Sequence, residues 1–317
     1  MPKRIPNRYS LIILAIYLIV RVLPIKSASE LMARVLGVSS KTFLKTKNIK
    51  SNIRDVFPDM DGQSAEALTK EMVENFGRHI AEIAHIPAFR DARRGTSITV
   101  RIPEGSSLED HGPAINVGAH VGSWELAPLV LQRIGHPVTI IYTENVNRFV
   151  NKLLSRMREQ TGAQYVEKSN ALRACMKALE QGPSVGLLVD QRVPSGIYVD
   201  FFGRPTKMTR FPAMLAIRFN CPIIPIEVVR LGTGQMRVDF QDPIMPDGIT
   251  GKPAELELTQ RMAEAIEESI KRNAGSWFCS KLRWKAADKI KADAVQRSVS
   301  PCQSDQQNIL TEKAACH

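Results

Sequence analysis

No phosphate-cradling Gly-x-x-x-x-Gly-Lys occurs in the sequence, nor a dinucleotide fingerprint Gly-x-Gly-x-x-Gly, nor a Gly-x-Ser-x-Gly nucleophile elbow. Several common enzyme classes therefore lack their starting motif. Cysteine is sparse: Cys175, Cys221, Cys279, Cys302 and Cys316 are odd in number, widely spaced and form no Cys-x-x-Cys pair. That pattern suggests neither a disulfide framework nor a zinc site and fits a reducing compartment. No internal repeat is evident, and no uninterrupted apolar run reaches the ~20 residues that span a bilayer squarely. Acidic residues are the minority charge, 32 against 43 basic, which leaves a net charge of +11 and a pI near 9.5. Such a chain attracts nucleic acid, anionic lipid head groups or acidic proteins, and charge alone does not choose among them. At 317 residues the chain can bury a large core, as one domain of about 250 residues with appendages or as two domains.

The most hydrophobic stretch present is residues 9–20, preceded by Lys3, Arg4 and Arg8 and followed by Arg21, Val22, Leu23 and Pro24. Snorkelling of Arg21 extends the apolar length to Leu23. Residues 1–27 are thus expected to form a membrane-anchor helix that spans the bilayer or lies in its interface. A cleaved signal peptide competes, with Ser27-Ala28-Ser29 as small residues for cleavage. Basic residues at both ends leave the orientation open.

Residues 28–95 read as helical, with Leu68, Met72, Val73, Phe76, Ile80 and Ile83 forming a core stripe at helical spacing between breaks at Phe57-Pro58 and Pro87. From Thr96 the periodicity changes. Short apolar or alternating runs at 114–117, 138–142, 185–189, 197–202, 223–229 and 236–240 read as strands, with helical patterns between several of them, which predicts an α/β sheet. Proline inside the run after Cys221 predicts an edge or bulged strand there. Phe201-Phe-Gly-Arg-Pro205 predicts an aromatic turn, 212–219 a helix, and Leu258, Met262, Ala265, Ile266 and Ile270 the inner face of a long helix. Trp277 and Trp284 stand among Phe278, Arg283 and Lys285, a mixture that suits an acidic membrane surface or packing on the domain. Residues 292–317 lose apolar periodicity and predict a disordered tail.

The stretch Ala114-Ile-Asn-Val-Gly-Ala-His-Val-Gly-Ser-Trp-Glu-Leu-Ala-Pro128 concentrates the chemistry. A buried strand ends before Gly118, and helix signals resume at Ser123 as N-cap, which leaves His120 in the turn between them. In a continuous helix, residues five apart diverge by about 140°; with His120 in a turn, it and Glu125 can meet. Glu125, in the first helical turn, is favoured as a carboxylate by the macrodipole and can accept a hydrogen bond from imidazole, giving a base and its orienter. His-x4-Glu alone is a weak motif, more often a packed histidine beside a first-turn glutamate. Downstream, a helix places Val146, Phe149, Val150, Leu153, Leu154 and Met157 on one face and Arg148, Lys152, Arg156 and Arg158 at its margins, where a solvated cationic face is the plain reading. Another helix, with Leu172, Cys175, Met176 and Leu179, leads to a strand ending in Asp190-Gln191. Polar residues beyond a strand's carboxyl end sit where ligands bind in open α/β sheets, or else cap a loop.

Taken together, the ordered set resembles the bacterial late, or secondary, acyltransferases of lipid A biosynthesis, the lauroyl and myristoyl acyltransferases. The resemblance covers nearly the whole chain before the tail. It rests on the N-terminal apolar helix, the Asn52–Pro58 segment, His120-x4-Glu125 with Trp124, Asn147–Gly162 with Arg156 and Arg158, Ala178-Leu-Glu-Gln-Gly182, Asp190-Gln191, Phe201–Pro205, Pro212-Ala213 and Trp277–Lys285. One departure is visible: relatives usually carry more aromatic residues and a histidine where this chain has Cys279-Ser280-Lys281.

The resemblance implies a glycerol-3-phosphate-acyltransferase-like mixed sheet flanked by helices, with an acyltransferase domain over 28–291 divided into a helical part, 28–95, and an α/β part, 96–291. It implies transfer of a fatty acyl chain from acyl carrier protein to a hydroxyl of an acylated lipid A precursor, forming an acyloxyacyl group. His120 is then the general base and Glu125 its orienter, Arg156 or Arg158 steadies the oxyanion or an acceptor phosphate, and Asp190 and Gln191 lie near the site. No metal or cofactor is implied beyond the acyl-phosphopantetheine of the donor protein. The implied partners are acyl carrier protein, the glycolipid and the membrane, not nucleic acid, at the cytoplasmic face of the inner membrane. The alternatives are the same chemistry on another glycolipid, a phospholipid or an aminolipid, and a membrane-tethered basic binding protein without catalysis.

Overall fold

Helices come first. The computed structural model describes residues 7–105, 112–144, 147–246, 248 and 251–285, without the side chains of 7–10 and 40–43; the tail expected at 292–317 lies outside the described residues. Helices α1 (Asn7–Val22), α2 (Ile25–Phe43), α3 (Thr46–Val56), α4 (Gly62–Ala84) and α5 (Ile86–Arg90) precede the first strand. The start of α4 is set by Asp61, whose carboxylate accepts the Gln63 and Ser64 N–H groups as an N-cap. Its stripe turns inward as the spacing predicts, burying Met72 and Val73 and leaving the opposite face wet.

Helix α1 has 16 residues, about 24 Å at 1.5 Å per residue, against a hydrocarbon core of about 30 Å. Among the described residues no helix is long and apolar enough to cross a membrane, so the spanning form of the expected anchor is not supported. Val20 is buried against the domain, whereas Leu11, Ile12, Leu18, Ile19 and Val22 are exposed.

The sheet is built from β1 (Ser97–Arg101), β2 (Ile115–Gly118), β3 (Val138–Tyr142), β4 (Gln164–Glu167), β5 (Ser184–Leu188), β8 (Ile223–Gly232) and β9 (Gln235–Phe240) in the order β1-β9-β8-β2-β5-β3-β4. Neighbours are parallel except β8 and β9, which form an antiparallel hairpin. Between them run α6 (Ala127–Arg133), α7 (Arg148–Arg158), α8 (Ala171–Gln181) and α9 (Phe211–Phe219), with α10 (Gly251–Arg272) after β9. The expected aromatic turn is the two-residue bend of a separate hairpin, β6 (Ile197–Phe201) and β7 (Arg204–Met208): Phe202 and Gly203 both take positive φ, 56° and 68°, the geometry that matches strand twist.

The strand containing Pro225 is not an edge. It lies between β9 and β2, and its parallel ladder with β2 stops at the Val117–Pro225 pair, so the missing N–H falls where pairing ends. The bulge falls later, between Arg230 and Gly232. A buried bidentate pair ties α4 to β8: Arg230 donates Nε and Nη2 to Glu82 at 2.7 and 2.8 Å, and Nη1 to Asn75 at 3.0 Å.

Candidate active site

Register brings the site together. In the parallel pair β2–β5, Gly118 stands opposite Leu188, so two residues further along each strand places His120 opposite Asp190 at the carboxyl edge of the sheet, where open α/β sheets bind ligands. The His120 Nδ1–H donates to Asp190 Oδ1 at 2.7 Å. Asp190 is 2 % exposed, and its Oδ2 accepts the Trp277 indole N–H at 3.0 Å. Burial pushes the Asp190 carboxyl upward, but the His120 charge and hydrogen bond and the Trp277 donor outweigh it and hold the group below the ordinary carboxylate value. An acceptor of this kind fixes the proton on Nδ1 and leaves Nε2 with a lone pair that can accept a proton. Gln191 Nε2 approaches that lone pair at 3.3 Å, and Lys281 Nζ donates to Gln191 Oε1 at 2.7 Å.

The turn that carries His120 depends on Gly122. Its φ is +59°, and a Cβ there would collide with the Val228 carbonyl oxygen. The helix expected to begin at Ser123 is a 3₁₀ turn, Trp124–Leu126, followed by α6, and Ser123 makes no capping bond. Pro128 has no N–H to donate back to the Trp124 carbonyl; Ala127 N–H takes that carbonyl instead and tightens the turn. The Ser123 hydroxyl lies 3.3 Å from His79 Nδ1.

This local geometry corrects the orienter expected from the sequence. The Glu125 carboxylate is engaged by Arg158, whose Nε donates to Oε2 at 3.0 Å and Nη2 to Oε1 at 2.5 Å, and the His120 Nδ1–H donates to Asp190 rather than to Glu125. The guanidinium also lies 5.1 and 5.4 Å from the ring centres of Tyr142 and Tyr165. Burial lowers the Arg158 proton affinity, and Glu125, by hydrogen bond and charge, more than restores it. Arg158 is therefore committed to Glu125. Arg156, two residues earlier on α7, is exposed and lines a cleft with Arg21, Tyr17, Leu18, Pro87, Gln160 and the carboxylate-bearing Glu159. The structure thus gathers His120, Asp190 and Gln191, pairs Glu125 with Arg158, and sets Arg156 apart beside α1.

Sequence reasoning assigned no role to His79. It is 2 % exposed and stacks on Trp124 with ring centres 3.6 Å apart, while Trp124 meets His120 edge-on at 5.1 Å. Phe76 and Phe278, stacked at 3.7 Å, extend the aromatic wall. The signal was its place three residues after Phe76 on the inward stripe of α4. Burial, reinforced by the charges of Arg230, His120 and Arg158, drives His79 well below the ordinary imidazole value and keeps it neutral. Below about pH 6.5, the unfolded value, the unfolded chain gains a proton that folded His79 refuses. Stability therefore falls with pH, by up to about 1.4 kcal/mol per unit, until pH reaches the lowered folded value. His79→Gln is expected to flatten this loss in urea melts taken between about pH 7 and 5; wild type and variant running parallel over that interval would show that His79 does not carry it.

Residues 3–286 match the family described as bacterial lipid A biosynthesis acyltransferase. The phosphatidylinositol mannoside acyltransferase of Mycobacterium tuberculosis strain H37Rv is 24% identical over 251 residues, covering 76% of this chain and 77% of that protein. The enzyme of the same name from Mycolicibacterium smegmatis is 22% identical over 272 residues, 82% and 88% of the two chains. The match over nearly the full described length shows the family: the chain belongs to the bacterial lipid A biosynthesis acyltransferases.

Proposed function

We propose that this protein transfers a fatty acyl chain from acyl carrier protein to a hydroxyl of an acylated lipid A precursor, with His120 as general base. The observation that carries the reading is the Asp190–His120 pair, which fixes one ring proton on Nδ1 and leaves Nε2 as an acceptor at the sheet edge, met only by the Gln191 amide at 3.3 Å among the described residues. The acceptor O–H gives its proton to Nε2 as its oxygen bonds to the thioester carbonyl carbon. The tetrahedral intermediate then collapses, the C–S bond breaks, and the imidazolium returns the proton to the departing sulfur, which leaves as a thiol. No covalent enzyme intermediate is required. Asp190 orients the ring and stabilises the imidazolium, the part a buried carboxylate plays in a triad. The Gln191 amide supplies a donor for the developing oxyanion. Arg158 holds Glu125 and the loop that bears it. Arg156, with Arg21 in the same cleft, suits an acceptor phosphate. The net charge of +11 suits both an acidic carrier protein and a phosphorylated glycolipid. Helix α1 then lies in the head-group plane at the cytoplasmic face of the inner membrane, its exposed leucines and isoleucines in the interface and Arg21 among phosphates.

A second acceptor is favoured by the relatives whose names specify phosphatidylinositol mannoside: the same chemistry on a different phosphorylated glycolipid. Purified protein with acyl carrier thioester should add one acyl chain to a lipid A precursor in anionic vesicles, and should sediment with those vesicles. Mass spectrometry of parallel reactions with mannosylated phosphatidylinositol decides the acceptor. Acylation of that lipid alone would remove lipid A, and acylation of neither would remove the transferase reading.

A further inference from the structure

The segment from Ser276 to Arg283 reaches the site from far along the chain, and asparagines hold it there. Asn52, wholly buried on α3, spends both amide hydrogens on the Cys279 and Lys281 carbonyls, each at 2.8 Å, and accepts the Arg283 N–H at 2.9 Å. Asn48, one turn earlier, donates to the Ser280 carbonyl at 2.9 Å. On the other side, the Phe278 N–H donates to the His120 carbonyl at 2.8 Å, and the Gly122 N–H to the Ser276 carbonyl at 3.1 Å. The backbone around Lys281 is therefore fixed directly against the turn that bears His120. Its side chain is exposed, yet its ammonium donates to Gln191 Oε1 at 2.7 Å.

That contact has a directional consequence. An ammonium has donors only, so the amide oxygen must face it, and the NH₂ group must face the other way. The other way is His120 Nε2, at 3.3 Å. If the amide were flipped, its oxygen would oppose the Nε2 lone pair and bring a negative dipole to the place where the acyl oxygen becomes an anion. With Lys281 in place, an entering acceptor hydroxyl takes over Nε2, and the Gln191 N–H it displaces remains beside the reacting carbon. We infer that Lys281 is a positioning residue, acting through Gln191 to aim an N–H donor at the oxyanion; the inference rests on reading His120 as the base. It gives a task to two parts of the chain that had none, the Asn52 region of α3 and the Cys279-Ser280-Lys281 segment, and it separates Lys281 from a general role in attracting anions.

Four variants and two readouts test it. Lys281→Met removes the donor at an exposed position, Lys281→Arg keeps a cationic donor, Gln191→Ala removes the amide, and the double variant Lys281→Met/Gln191→Ala closes a cycle. Gln191→Ala is expected to lower kcat by about 10²-fold and Lys281→Met by on the order of 10-fold, with the acceptor KM little changed. Lys281→Arg should restore most of the loss. Lys281→Met should cost almost nothing further once Gln191 is gone, because the lysine acts through the amide. The second readout needs no substrate: carbethoxylation of His120 by diethylpyrocarbonate, mapped by mass spectrometry, should run faster in Lys281→Met than in wild type or Lys281→Arg, since the Gln191 N–H no longer covers Nε2. Losses that add in the double variant, an effect confined to acceptor KM, or an unchanged modification rate in Lys281→Met would each overturn the inference. If wild type acylates no lipid offered, the proposed function falls, and the modification rates still decide whether Lys281 orients the amide over Nε2.

Discussion

Asp190→Asn is expected to lower kcat by about 10⁴-fold, the size seen when a triad carboxylate becomes an amide, with the fold retained. The reason is the second bond to Asp190. Trp277 Nε1 donates to one carboxylate oxygen, so the asparagine oxygen turns toward the indole and its NH₂ toward His120 Nδ1. A donor at that position demands a lone pair on Nδ1 and moves the ring proton to Nε2, where it blocks acceptance of the substrate proton. Folding should change little, since the asparagine keeps the shape and the indole bond. His120→Ala should fall to a similar residual rate, and the double variant should be scarcely worse than either single one, because base and orienter act as a unit. Steady-state kinetics beside a thermal melt check this. An Asp190→Asn enzyme within tenfold of wild type would remove Asp190 from the chemistry.

Arg158→Met should act on stability as much as on rate. It leaves the Glu125 carboxylate, 8 % exposed by residue, without the guanidinium that neutralises it, and breaking one partner of a buried pair costs about 3–5 kcal/mol. For a chain of this size that is a fall in Tm of roughly 5–8 °C, with loss of the contacts to Tyr142 and Tyr165 included. The double variant Arg158→Met/Glu125→Leu should recover much of it, because no buried charge is then left unmatched. Thermal unfolding of the three proteins tests the point. A stable Arg158→Met protein that has lost only turnover would instead assign Arg158 to the transition state.

What was legible in the sequence follows from how local each signal is. The inner strands show because β2, β5 and β8 are apolar and buried on both faces. Strand β1 was missed because almost every residue in it is exposed, β4 because it is a short edge strand of four residues, and β7 because Arg204, Pro205 and Lys207 give it no apolar alternation. At the site, His120 was legible from its place in a strand-to-helix turn. Its partner was not. Glu125 is five residues away and Asp190 seventy, and only the pairing of β2 with β5 makes the distant one adjacent. Two strands followed by polar residues were visible, but a single sequence does not say which strands are neighbours or in what register. The sequence left α1 open between spanning and interfacial forms for a related reason: hydropathy recognises an apolar segment but not that Val20 is spent on the domain core.

The Asn52-held segment also bears on the order in which the enzyme is made. By the time the ribosome has completed α10, every strand of the sheet exists, and so do His120, Asp190 and Gln191. The indole that holds Asp190 and the ammonium that turns Gln191 come afterwards, on Trp277 and Lys281. The carboxylate and amide are thus synthesised well before the groups that aim them, and a nascent chain carries its base and the base's partner without the indole and ammonium that steady them until the segment after α10 docks against α3.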